Sequence, residues 1–297
     1  MGYIYIALSV FFNAAKGFSS KKVCASLINQ RENVIFNTKR MSLSFLFALA
    51  AVLFGVSLKD LMPSKTELLI CAVAGMSMTA FALLWQTAIR SSAYMLASAS
   101  SSGSFIVPVV CGLLFWNERF TLSSGISICL IVASLFFLLK YDSALKGKIC
   151  KKDLIVLFFL LLSQGIMLCM QKAFVLYAPQ KSISVYNFYY FLSAVLFSLV
   201  LLLFFKKGNQ VKEKVISNFK QTAYMVVMSG SLFAVSFFQT MAAKTVDAII
   251  LYPLISGLGL VGGALMAALC FKEKPNRNCI IGIVLVLGAV VISKISF

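Results

Sequence analysis

The sequence predicts an all-α integral membrane protein of ten transmembrane helices, arranged as two inverted five-helix repeats. Three observations lead to that class. The chain has 297 residues, of which 61% are hydrophobic and 12% charged, with a mean hydropathy of +0.95. A soluble domain carries about twice that charge. The apolar residues fall in continuous runs of about 20, the length an α-helix needs to cross roughly 30 Å of hydrocarbon. A membrane barrel would instead show alternating segments of about ten residues, and no other backbone satisfies itself in lipid. Finally, the second half of the chain echoes the first.

The runs place helices at 3–22, 34–57, 68–89, 94–116, 122–140, 154–177, 183–205, 222–243, 247–271 and 278–296. The first begins almost at Met1 with no basic segment before it, so it reads as a retained helix and not a cleaved signal peptide. It carries a polar stripe, Ser9, Asn13, Lys16 and Ser20, at spacings of 4, 3 and 4. The second helix carries Asn37, Arg40 and Ser44 in the same way, and Pro63-Ser64 breaks the chain after it. Arg90-Ser91-Ser92 ends the third. The fourth holds the small-residue run Ser98-Ala99-Ser100-Ser101-Ser102-Gly103-Ser104 and closes at Asn117-Glu118-Arg119. The fifth starts with an early Gly125. The sixth carries Gln164 and Lys172 on one face, and the seventh carries Asn187 and Tyr190 on one face. The eighth contains Gln239. The ninth has the run Ser256-Gly257-Leu258-Gly259-Leu260-Val261-Gly262-Gly263, and Pro275-Asn276 separates it from the tenth, which holds Gly282.

Four landmarks recur in order at nearly constant offset. Phe36-Asn37 matches Tyr186-Asn187 at 150, and Lys16-Gly17-Phe18 matches Lys172-Ala173-Phe174 at 156. Gln86-Thr87 matches Gln239-Thr240 at 153, and Trp116-Asn117-Glu118-Arg119 matches Phe271-Lys272-Glu273-Lys274 at 155. Residues 1–145 therefore read as one repeat and 146–297 as the other. Five crossings is an odd number, so the second copy must lie upside down relative to the first, an arrangement common in secondary transporters.

Charge inside a membrane helix is a functional candidate by default. The polar stripes point to a shared cavity lined by Asn13, Lys16, Asn37, Arg40, Ser101, Lys172, Asn187 and Tyr190. Each has a plainer reading. Lys16 and Lys172 lie near enough to helix ends to snorkel, Arg40 suits an interfacial anchor, and the asparagines suit hydrogen bonds between helices. Close packing accounts for the small-residue runs, with Gly259 and Gly263 at GxxxG spacing; Pro108 and Pro253 are expected to kink their helices. Of 9 acidic residues none lies at mid-helix. Asp247, Glu118 and Glu273 are the remaining candidates for ion coupling, although the two glutamates equally suit end caps or interfacial ion pairs.

The 8 Cys form no CxxC pair and His is absent, so neither metal nor cofactor is expected. Lacking paired acids, a Gly-rich phosphate loop and a nucleophile–base arrangement, the chain reads as no enzyme. Nineteen of the 27 Lys and Arg fall on one side in the connections and 7 on the other, with Lys16 inside a helix. The net charge of +18 is then a topology signal and not a nucleic-acid footprint. By the positive-inside rule it puts both termini outside.

The chain resembles the drug/metabolite transporter superfamily, in particular its EamA-like members. The resemblance rests on Ala88-Ile89-Arg90-Ser91-Ser92-Ala93, on the small-residue helix with its proline, and on Asn117-Glu118-Arg119-Phe120-Thr121, close to the family's "gErls" turn. A Gly-led last helix follows, and Lys272-Glu273-Lys274-Pro275 repeats the pattern in the second copy. Pro108 lies closer to Glu118, and Pro253 farther from Glu273, than the family's usual interval. The resemblance implies that helices one to four and six to nine surround the substrate cavity, with five and ten peripheral. It adds Gln86, Gln239 and Tyr252 to the cavity set. Family members commonly hold both termini in the cytosol, the reverse of the loop bias.

The expectation is a plasma-membrane secondary transporter, exporting a small polar metabolite such as an amino acid by alternating access. A phosphorylated or lipid-linked anionic substrate is the alternative, motivated by Lys16, Lys172 and Arg40. A non-transporting scaffold or sensor is the alternative of another class. The expected partners are the small-molecule substrate and the lipid bilayer, with a homodimer left open.

Overall fold

In a computed structural model the described residues are 2–24, 30–91, 94–143, 151–204, 219–271 and 277–292. Among them every regular element is a helix: α1 (Gly2–Cys24), α2 (Gln30–Gly55), α3 (Leu58–Leu61), α4 (Lys65–Ser91), α5 (Tyr94–Gly103), α6 (Ile106–Phe115), α7 (Leu122–Ser143), α8 (Lys151–Tyr177), α9 (Ile183–Phe204), α10 (Phe219–Ala243), α11 (Ala248–Phe271) and α12 (Arg277–Ile292). Five of these are long and apolar enough to cross a membrane: α2, α4, α8, α9 and α10. Their outer faces carry large apolar side chains such as Leu53, Phe54, Leu69 and Leu203. Lipid can cover such a surface and water cannot.

Two differences from the sequence reading have local causes. The helix expected at 94–116 is two helices, α5 and α6, parted at Ser104-Phe105. Pro108 has no N–H for the Ser104 carbonyl four residues back. That carbonyl accepts from Val107 N at 3.2 Å instead, and Ser104 N turns to Ser101 O at 3.2 Å. The proline thus acts one turn upstream of itself. Pro253, expected to kink the ninth helix, lies inside an unbroken α11, only five residues past its start. The second difference is a longer α4. Ser64 and Glu67 form a reciprocal cap, Glu67 N to Ser64 Oγ at 3.3 Å and Ser64 N to Glu67 Oε2 at 3.0 Å, and this starts the helix at Lys65. The segment containing Glu273 lies outside the described residues.

Long helices pair mainly across the midpoint of the chain. α1 packs most extensively on α10, α4 on α8 and α9, α2 on α9, and α7 on α12. Without a hydrophobic drive between helices in lipid, close packing and polar contacts must hold such pairs. Gly75 shows how close α4 and α9 come. A Cβ there would lie 2.7 Å from both Ala194 N and Tyr190 O. Thr79, one turn on, sits within 3.1 Å of Ala194 O.

Gly75→Ala should therefore destabilise the protein by about 1–3 kcal/mol, since rigid backbone must move. Gly55→Ala is the control, because nothing lies within 4 Å of its Cβ position. Thermal unfolding in detergent micelles compares the two, and equal midpoints would contradict the α4–α9 packing.

Candidate functional site

The end of α6 sets the geometry. Asn117 has φ 51°, a left-handed conformation that asparagine tolerates better than most residues. It turns the chain so that Glu118 N donates to Gly112 O at 3.1 Å, and the Glu118 side chain folds back over α6. Gly112 makes room for it: a Cβ there would lie 2.8 Å from Glu118 Oε2.

The carboxylate then meets α11. Glu118 Oε1 accepts from Ala248 N at 2.9 Å and Oε2 from Ile249 N at 3.0 Å. These are first-turn amides, which no carbonyl within the helix can satisfy. Asp247 is exposed and adjacent, but the residue that caps this helix is 130 positions away in sequence. From α8, Lys172 Nζ lies 3.4 Å from Glu118 Oε1, with the two side chains 5% and 7% exposed. Its ammonium also donates to Ala243 O at 3.2 Å and Val246 O at 2.9 Å, at the end of α10 and in the turn beyond it. The cation thus sits at the negative end of one helix dipole and the anion at the positive end of another. Lys172 does not snorkel to water, as its nearness to a helix end allowed, because its hydrogen-bonding partners are inside the protein.

Neighbouring polar groups extend the clamp. Gln171 Nε2 donates to Thr240 Oγ1 at 2.8 Å and to Ser236 O at 3.1 Å, which binds α8 to α10 a second time. Tyr252 OH donates to Leu168 O at 2.9 Å, joining α11 to α8. On the surface of the same end, Lys181 Nζ donates to Asp60 O and Met62 O at 2.9 and 2.8 Å. Lys244 Nζ donates to Lys181 O at 3.3 Å.

The other predicted residues fall into separate groups. Asn37 and Gln86 form a reciprocal amide pair between α2 and α4, at 3.0 and 3.4 Å. Asn187 and Gln239, the residues that the sequence offsets match to them, make no such pair among the described residues. Asn187 donates to its own helix at Ile183 O, 3.0 Å, and its Oδ1 is buried without a hydrogen bond. Ser101 hydrogen-bonds Gln164 across α5 and α8. Tyr190 OH donates to Met167 Sδ at 3.2 Å, and its ring stacks on Tyr186. Asn13 packs where Gly259 leaves space on α11. Lys16 is half-buried on α1, and Arg40 is buried on α2.

Gln171 was absent from the sequence reading, although it lies seven residues beyond Gln164 and so on the same helix face. Among the described residues no three His, Cys, Asp or Glu side chains gather at one point.

No protein-family model matches the chain, and none of the curated proteins does. A solved crystal structure, described only as that of a protein, is similar in fold. It has a TM-score of 0.77 and 11% identity, over 99% of this chain and 96% of that one.

Removing one partner of the clamp leaves a buried charge uncompensated. Lys172→Met and Glu118→Gln should each cost about 3–5 kcal/mol of stability, and the double variant should recover part of that loss. A double-mutant cycle by thermal unfolding measures the coupling; additive losses would contradict the pairing.

Proposed function

We propose that this chain is a secondary transporter of a small polar metabolite, working by alternating access between two inverted five-helix repeats. Helix pairing supports the duplication. Exchanging each helix for its repeat equivalent converts the α1–α10 pair into α8–α4, and maps α2–α9 and α7–α12 onto themselves. A two-fold-related chain has that property. The observation that carries the function is where this symmetry fails. In the second repeat Gln171 and Lys172 fasten α8 to α10. The equivalent helices of the first repeat, α1 and α4, share no comparable packing among the described residues. Two like halves that differ in which end is fastened describe one state of a rocking cycle.

Transport out of the cell, across the plasma membrane, is the direction this reading takes. It places the chain with the EamA-like transporters it resembles. A second reading concerns the substrate, and Lys16 and Arg40 favour it. Lys172 is engaged by Glu118, while Lys16 and Arg40 add positive charge to the interior of α1 and α2. An anionic substrate group, carboxylate or phosphate, would complement that charge.

Purified protein in proteoliposomes tests both readings by exchange of labelled neutral amino acids and of phosphorylated metabolites. The expected outcome is saturable exchange of one class. Lys16→Ala should lower anion exchange at least tenfold, about 1.4 kcal/mol of lost interaction. Absence of exchange for every class tried would favour a scaffold or sensor and sink the transport reading.

A further inference from the structure

We propose that Cys111 and Cys169 are a reactive thiol pair, oxidised by a membrane-dissolved hydroperoxide to a disulfide that fastens α6 to α8. Cys169 Sγ on α8 lies 3.4 Å from Cys111 Sγ on α6, and both are free thiols. A disulfide needs a sulfur separation of about 2.0 Å, so the sulfurs must close by about 1.4 Å, within reach of side-chain rotation.

The helices already meet at that point. One turn earlier on both, a Cβ on Gly165 would collide with Val107 Cγ2 and lie 3.1 Å from Ser104 O. A few residues later, Lys172 and Glu118 form their ion pair. The thiols therefore sit on one seam, between a glycine contact and a charged one, with their backbones held in register. Two further cysteines have described side chains: Cys71 is buried, with its Sγ 3.9 Å from Tyr186 O, and Cys129 is exposed on α7. Among these four cysteines, Cys111 and Cys169 are the two whose sulfurs meet.

Exposure assigns the order of events. Cys111 is partly exposed beside Val110 and Leu114, which are 44% and 69% exposed on an apolar surface suited to lipid. Cys169 is buried. Attack by the Cys111 sulfur on the distal peroxide oxygen breaks the O–O bond, releases an alcohol and leaves a sulfenic acid. The Cys169 sulfur then displaces water from that sulfenic acid and forms the S–S bond. Two thiols lose two electrons and two protons, and the hydroperoxide is reduced to alcohol and water. Any effect of the bond on flux rests on the transport reading; the bond itself does not. Under that reading the bond welds the closed end shut.

The test uses full-length protein in proteoliposomes treated with cumene hydroperoxide. Remaining thiols are then blocked, and the protein is digested and analysed by non-reducing mass spectrometry. The expected product is a peptide pair joined through Cys111 and Cys169, lost on dithiothreitol treatment, absent in Cys111→Ser and retained in Cys71→Ser. Exchange should fall to that of empty liposomes on oxidation, return on reduction, and be insensitive to oxidant in Cys111→Ser. Oxidation of other thiols with no 111–169 product overturns the proposal. The joined product with undiminished exchange supports the thiol site and overturns the lock. The joined product from a protein that exchanges nothing when reduced supports the site and counts against transport alone.

Discussion

One buried ion pair organises an entire end of this protein. Lys172 and Glu118 are withdrawn from water, a transfer that costs several kcal/mol per charge even after relaxation. Three things offset that cost together. The charges attract each other at low dielectric, each gains two backbone hydrogen bonds, and each sits at the helix end whose dipole opposes its sign. Lose one partner and the other keeps its desolvation with nothing to balance it. The turn between α10 and α11 depends on both, because Lys172 holds the chain leaving one helix and Glu118 holds the chain entering the next. Gln171 and Tyr252 add hydrogen bonds of their own from α8 to α10 and α11.

A closure built this way differs from a dry apolar seam. Its attraction is directional and falls away once the groups separate and water enters. Under the proposed transport cycle such a contact would hold while shut and exert no strong force drawing it back once open. Elsewhere the structure uses the opposite device. At Gly75 and Gly165 the missing side chains let helix backbones approach closely, and such seams resist separation because many small contacts must break together. Helix pairs of the second kind are suited to move as bodies, and polar clamps of the first kind are suited to release them. Gly257 and Gly259 belong to the packing class: their open sides meet Val286 and Asn13.

Helix positions were legible in the sequence because lipid imposes them: a run of about 20 apolar residues has few alternatives. Single polar residues were legible for the same reason, since each must have a use or a partner. Their partners were not. Glu118 reads as a cap or an ion-pair member, and it is both, but for a helix 130 residues away. Lys172 reads as able to snorkel, and only the position of α10 shows which carbonyls hold it. Asn37 and Gln86 were each singled out, yet their mutual bond depends on how α2 meets α4. Pro108 was legible as a kink, but the break falls at Ser104-Phe105, because a proline disrupts the carbonyl four residues behind it. Cys111 and Cys169 carried no signal in the sequence, for no CxxC spacing marks two thiols on different helices.

Pulsed electron–electron distance measurements in lipid bilayers test the central claim most directly. Spin labels at Met62 and Lys244 report the clamped end, and labels at Lys39 and Phe219 report the opposite end; all four sites are exposed. With the native cysteines replaced, each pair should show two distances, and the short distance at one end should accompany the long one at the other. Lys172→Met should shift the Met62–Lys244 pair toward its long distance and the Lys39–Phe219 pair toward its short one. A single distance for each pair, unchanged by Lys172→Met, would contradict the account.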